Sequence, residues 1–301
     1  MSAPASSPAA LGPRLPSPLQ ELEDPRFTAY GVRLLLKRDD LIHPALPGNK
    51  WRKLEPNLRA ALDAGRRTLL TFGGAYSNHL RATAAAGRLL GLSTLGVVRG
   101  EELAHRPLNP SLRQCAEDGM RLRFVSRADY RRRADPAYQR ELCADLGCEE
   151  AYVVPEGGSN ALAVRGCAEL GRELRGRAEV AAVACGTGGT LAGLAAGLGP
   201  GQRALGIPVL RGDFLAHETE RLQREAFGGP RGTWTVDGRF HCGGYARTTP
   251  ELDAFATDFA ARHGLPETER VYVAKLLYAL TSLAREGAFA PGSRIAAVIT
   301  A

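Results

Sequence analysis

The sequence predicts an α/β protein built on two open twisted sheets with flanking helices, and three observations carry that reading. Short aliphatic runs alternate with amphipathic segments of helical length along most of the 301 residues. Glycine-rich turns fall where the aliphatic runs end, as loops do at the strand ends of open α/β sheets. The length suits two packed domains, and at 44% hydrophobic and 24% charged the chain has the apolar material for their cores.

Each element follows in order. Residues 1–17, rich in Pro, Ser and Ala, read as a loosely attached arm. Residues 31–37 form a strand that ends at Asp39 and Asp40. Pro44, Pro47 and Gly48 mark a loop, and Asn49 is placed to cap a helix running from about Trp51 to Ala64, with Gly65 as its stop and Pro56 near its first turn. Strands follow at 67–72, 92–99, 121–125, 151–154 and 180–184. Between them lie helices at 78–90, 109–118, 136–146 and from 160 to about 174, and a further helix opens at Leu191. The last third continues with 203–210, 251–263, 271–273, 275–286 and 294–299, where Tyr272 is expected at a strand end. Residues 1–64 with 148–301 are assigned to a larger domain and 65–147 to a smaller one.

The formal charge of +7 comes from 39 basic and 32 acidic residues, and only Lys37, Lys50, Lys53 and Lys275 are lysines. The arginines are scattered among acids rather than gathered in a stripe, which argues against a nucleic-acid partner. Six cysteines without a regular framework suit a reducing compartment. The N-terminus lacks a basic head followed by an apolar block, so a cytoplasmic location is expected. Residues 180–202 carry no charge over a bilayer-spanning length. The glycines at their centre favour a strand, loop and helix, and no membrane partner is expected.

Three loops are candidates for chemistry. Lys50, at a loop-to-helix junction, is where an amine can be held and partly desolvated, as an imine-forming lysine needs. Gly73 to His79 opens a helix after a strand, and its N–H groups with Ser77 and Asn78 suit a carboxylate. Gly186-Thr187-Gly188-Gly189-Thr190 follows the strand at 180–184, and its glycines let several N–H groups converge on a phosphate. No Lys-Ser or Lys-Thr pair follows it, and Leu191 breaks the dinucleotide fingerprint, so a cofactor with one phosphate fits best. Tyr272 and Tyr245 offer phenols as acid or base. The six histidines show no metal-ligand spacing, and no metal is expected.

Residues 48–55, 73–87, 155–160, 184–193 and 271–280, in this order and spacing, resemble the 1-aminocyclopropane-1-carboxylate deaminase and D-cysteine desulfhydrase family of pyridoxal-phosphate enzymes. The resemblance covers residues 15–301 and implies the tryptophan-synthase-beta-like architecture known as fold type II. It implies pyridoxal 5'-phosphate as cofactor, a small amino acid as substrate and a homodimer. By the same resemblance Lys50 attaches the cofactor, Asn78 lies beside its phenolic oxygen, Cys185 and Gly186 to Thr190 hold its phosphate, and Thr300 approaches its ring nitrogen. Ser77, Asn78, His79, Tyr245 and Tyr272 meet the substrate, with Lys50, Tyr272 and Ser77 as catalytic residues.

The deaminase pattern has glutamate after the tyrosine matched by Tyr272 and leucine at the position matched by Thr300, whereas this chain has Val273 and Thr300. A missing carboxylate near the ring nitrogen weakens the electron sink. That disfavours cyclopropane opening more than departure of a good leaving group. The expected activity is therefore α,β-elimination on D-cysteine, giving pyruvate, hydrogen sulfide and ammonia. The alternatives are 1-aminocyclopropane-1-carboxylate deamination and elimination on L-cysteine or D-serine.

Overall fold

A computed structural model of the chain describes residues 7–46, 48–264 and 269–300. In chain order its strands are β1 (Leu19–Leu22), β2 (Arg33–Arg38), β3 (Thr68–Gly73), β4 (Ser93–Arg99), β5 (Met120–Val125), β6 (Tyr152–Val154), β7 (Val180–Cys185), β8 (Arg203–Pro208), β9 (Thr233–Val236) and β10 (Arg294–Ile299). Its α-helices begin with α1 (Pro25–Thr28), α2 (Asn49–Asp63), α3 (Asn78–Leu90), α4 (Pro110–Glu117), α5 (Arg127–Arg131) and α6 (Pro136–Asp145). They end with α7 (Ala161–Glu173), α8 (Gly189–Gly197), α9 (Phe214–Phe227), α10 (Pro250–His263) and α11 (Val273–Arg285).

The chain divides into two compact units. The smaller comprises residues 1–13, 43–46 and 53–159, and the larger residues 14–42, 47–52 and 160–301. The sequence reading ended the smaller domain at 147, but β6 pairs with β3 and so belongs to the smaller sheet. Of the expected arm, residues 1–6 lie outside the described residues. Its far end is anchored in the larger unit, because the Ser17 hydroxyl is buried and donates to Asp39 at 2.6 Å.

The smaller unit holds a parallel sheet in the order β5-β4-β3-β6. Helix α3 is capped by Ser77, whose side chain accepts from the Leu80 N–H, and stops before Gly91 in the left-handed conformation. Leu80 and Ala84 on this helix pack with Val98 and Met120 of the sheet. Leu70, Phe72, Leu95 and Val97 pack instead with Tyr130 and Tyr138.

The larger unit holds the order β1-β2-β10-β7-β8-β9, parallel except that β1 runs antiparallel to β2. Strand β7 is buried throughout, so it reads as an unbroken apolar run. Val180, Ala182 and Ala184 join the core that includes Leu276 and Leu280 of α11, while Ala181, Val183 and Cys185 join the one that includes Leu191 and Leu194 of α8. Helix α8 has no charged residue and is buried on nearly all sides, as expected for a core helix rather than an amphipathic one. No described helix is long and apolar enough to cross a membrane, and the uncharged 180–202 stretch is strand, loop and core helix.

From β7 the chain moves through α8 to β8 on one side, while β10 lies on the other side of β7. The sheet therefore has a topological switch point between the ends of β7 and β10, where open α/β sheets bind ligands.

Candidate functional site

Within the larger unit, three segments meet at this switch point. Gly48 donates its N–H to the Asp39 carbonyl at 2.9 Å and has φ +66. A Cβ there would collide with the carbonyl oxygen of Thr300, which follows β10. Glycine is required twice over, by conformation and by close approach. Asn49 is the first residue of α2, not the cap that the sequence reading assigned it. Its side-chain amide instead donates to Thr190 Oγ1 at 2.9 Å, which holds the helix start to the glycine loop. Lys50 comes next and is half-buried.

The helix start is fastened from below by a buried ion network. Arg52 is 3% exposed and donates Nε to Asp39 at 2.7 Å, Nη2 to Asp39 at 2.8 Å and Nη1 to Glu173 at 2.9 Å. Lys37 pairs with Glu173 at 2.5 Å and donates to the Ser17 carbonyl. Burial opposes charge on Glu173, but Arg52 and Lys37 outweigh it and hold its carboxyl below the usual range.

The loop after β7 ends at Gly188, the N-cap of α8, with φ +77 and no side-chain cap. An uncapped helix N-terminus in a loop that carries Thr187 and Thr190 offers N–H groups and hydroxyls to an anion. The helix starts at Gly189, two residues before the expected Leu191. Cys185 lies just below, with its thiol donating to the Val183 carbonyl at 3.4 Å and its side chain in the core.

The segment 271–273 is not a strand. Glu269 accepts from the N–H groups of Val271 at 2.7 Å, Tyr272 at 2.8 Å and Val273 at 3.2 Å, capping the turn from which α11 departs. The sequence reading missed this carboxylate, although an acid just ahead of a helical run was a legible signal. Tyr272 is half-buried, and a Cβ on Gly186 would lie 3.4 Å from its hydroxyl. The Tyr245 ring meets it edge-on, with centroids 6.2 Å apart. Burial and the Tyr245 hydroxyl push the Tyr272 phenol well above its usual pKa, so it stays un-ionised at neutral pH.

In the smaller unit Ser77 and Asn78 are half-buried at the α3 N-terminus. His79 is only 2% exposed, and its Nε2 lies 2.8 Å from the Thr71 hydroxyl, which itself donates to the Val154 carbonyl. The imidazole is thus embedded among α3 and the sheet, unlike its two neighbours.

The four lysines separate clearly. Lys37 is ion-paired, Lys53 donates to the Gly157 carbonyl and Ser159 hydroxyl, and Lys275 donates to two backbone carbonyls. These three are buried, and Lys50 alone is partly exposed.

Residues 12–301 match the model of the family described as pyridoxal-phosphate dependent enzyme. A protein of Pyrococcus horikoshii provisionally named a 1-aminocyclopropane-1-carboxylate deaminase is 32% identical over 271 residues, 85% of this chain and 81% of its own. One of Thermotoga maritima with the same provisional name is 37% identical over 61% of this chain and 59% of its own. Among solved structures, one described as an ACC deaminase homologue superposes with a TM-score of 0.80 at 29% identity, covering 94% of this chain and 88% of its own. The chain therefore belongs to the pyridoxal-phosphate dependent enzymes of the tryptophan-synthase-beta-like, type II fold.

Proposed function

We propose that the protein is a lyase that releases ammonium and a keto acid from a small α-amino acid, with Lys50 as the amine that attaches the cofactor. The observation that supports this is the Asn49–Thr190 hydrogen bond, which ties the residue before Lys50 to the glycine loop. The residues fit the cofactor: an uncapped helix N-terminus for one phosphate, a lysine next in sequence to the Asn49 bonded there and a buried threonine after β10. When bound, pyridoxal phosphate supplies a sink for charge developing at the substrate α-carbon.

The chain's own groups divide the remaining work. Gly186 to Thr190 would hold the phosphate, and Thr300 would serve the ring nitrogen. By the family resemblance, Asn78 would serve the phenolic oxygen and Ser77 the substrate carboxylate. Lys50 would remove the α proton. Tyr272, whose hydroxyl lies toward Gly186 of the loop, would donate to the departing or ring-opened group, and Tyr245 would border the substrate. Proton transfer of this kind is worth roughly 10²–10⁴-fold.

The substrate we put first is 1-aminocyclopropane-1-carboxylate, the one the relatives' names carry. D-cysteine, favoured by the sequence reading, becomes the second, supported by Val273 and Thr300, neither of which offers a carboxylate. Keto-acid release from a panel of the cyclopropane acid, D- and L-cysteine, D-serine and β-chloroalanine tests both. α-Ketobutyrate from the first without sulfide from the second supports deamination. The converse supports elimination, and no keto acid from any member sinks the lyase reading.

A further inference from the structure

Lys275 is an unusual residue to find wholly buried. It lies in the first turn of α11 at 0% exposure, and its ammonium donates to the carbonyls of His241 at 2.8 Å and Gly244 at 2.7 Å. Burial lowers its pKa. Both acceptors belong to one loop, and that loop is held in an uncommon shape. Cys242 (φ 50) and Ala246 (φ 53) adopt left-handed backbone conformations without being glycine, and Gly243 (φ 89) and Gly244 (φ 118) lie between them. Such conformations persist only where surroundings over-determine them, and they cluster at functional sites. The same loop carries Tyr245, 43% exposed, whose ring meets Tyr272. Tyr272 is itself the N-cap of α11, three residues before Lys275.

We propose that Lys275 is a positioning residue whose buried ammonium pins the 241–246 loop to α11 and so sets the Tyr245 phenol against Tyr272. Two of the lysine's three N–H donors are engaged with the loop backbone, so it acts through the loop. Its effect on turnover rests on the substrate role proposed above for Tyr245, whereas the anchoring does not.

Cys242, half-buried on the loop, provides a reporter independent of activity. In the holoenzyme, alkylation of each cysteine by iodoacetamide is followed by peptide mass, for wild type and Lys275→Met. Loss of the nearby cation alone would raise the Cys242 thiol pKa and slow its reaction. An acceleration therefore reports release of the loop. At least tenfold faster labelling at Cys242, with the other five unchanged, is expected. Unchanged or slower labelling overturns the proposal. If Lys275→Met does not fold, Lys275→Gln, which keeps two N–H donors on a shorter stem, is read in the same way with at least threefold acceleration expected. Kinetics then separate the two readings. If Lys275→Met and Tyr245→Phe both raise KM and the double variant is no worse than the poorer single one, the lysine acts through the tyrosine. Faster labelling with unchanged kinetics keeps the anchor and removes Tyr245 from the substrate.

Discussion

Replacing Arg52 by Met should be far more damaging than a surface arginine change, because of what it strands. Arg52 gives Asp39 two hydrogen bonds, at 2.7 and 2.8 Å, and Asp39 is 0% exposed. Without the guanidinium, Asp39 keeps the Ser17 hydroxyl at 2.6 Å, while Glu173 keeps Lys37. One buried carboxylate loses its countercharge, and breaking a buried pair in this way costs about 3–5 kcal/mol. For a domain of this size that corresponds to a melting temperature roughly 6–20 °C lower. Arg221 is the control: it pairs with both Glu218 and Glu225, but its side chain is 46% exposed. Its replacement by Met should cost less than about 1 kcal/mol. Urea unfolding of both variants at a fixed pyridoxal phosphate concentration gives the comparison. Equal losses for the two, or less than about 1 kcal/mol for Arg52→Met, would refute the view that a buried network fixes the start of α2.

Other outcomes follow from the same geometry. Gly48→Ala adds a Cβ against the Thr300 carbonyl at a positive φ, and should cost about 2–4 kcal/mol and most cofactor retention. Gly65→Ala, with φ +69 but open space around it, should cost only about 1 kcal/mol, and thermal melts of the two compare them. Asn49→Ala loses one hydrogen bond to the loop, so spectroscopic titration should show pyridoxal phosphate binding roughly fivefold weaker. Burial opposes charge on Asp24, but bonds from Arg26 and His263 overcome it and keep the carboxyl well below its ordinary value. A depressed folded pKa means stability that is fully present above about pH 4 and lost as pH falls below it. Asp24→Asn should flatten that acid limb in melts taken from pH 5 to pH 2.

Much of this fold was legible in the sequence because local signals agreed with the final structure. The strand at 294–299 and the helix at 78–90 coincide with β10 and α3, where a periodic apolar pattern is bounded by a cap or a glycine. Helix α9 went unread: its buried positions are Leu215, Thr219, Leu222, Gln223 and Ala226, and two polar residues blur the apolar stripe. The edge strands β1 and β9 were also missed, since their exposed positions carry little hydrophobic signal. Lys50 and the glycine loop stood out by composition. The partners that fix them did not, because Asn49 to Thr190 spans 141 residues and Arg52 to Glu173 spans 121. Such pairings exist only once the sheet order is known.

The most direct measurement of the central claim is chemical. Borohydride added to the protein loaded with pyridoxal phosphate makes the attachment permanent, and trypsin then cannot cut after the modified lysine. A peptide running from Asp39 to Arg52 should carry the added pyridoxyl mass. Finding that mass on Lys37, Lys53 or Lys275 instead, or on no lysine, would contradict the account.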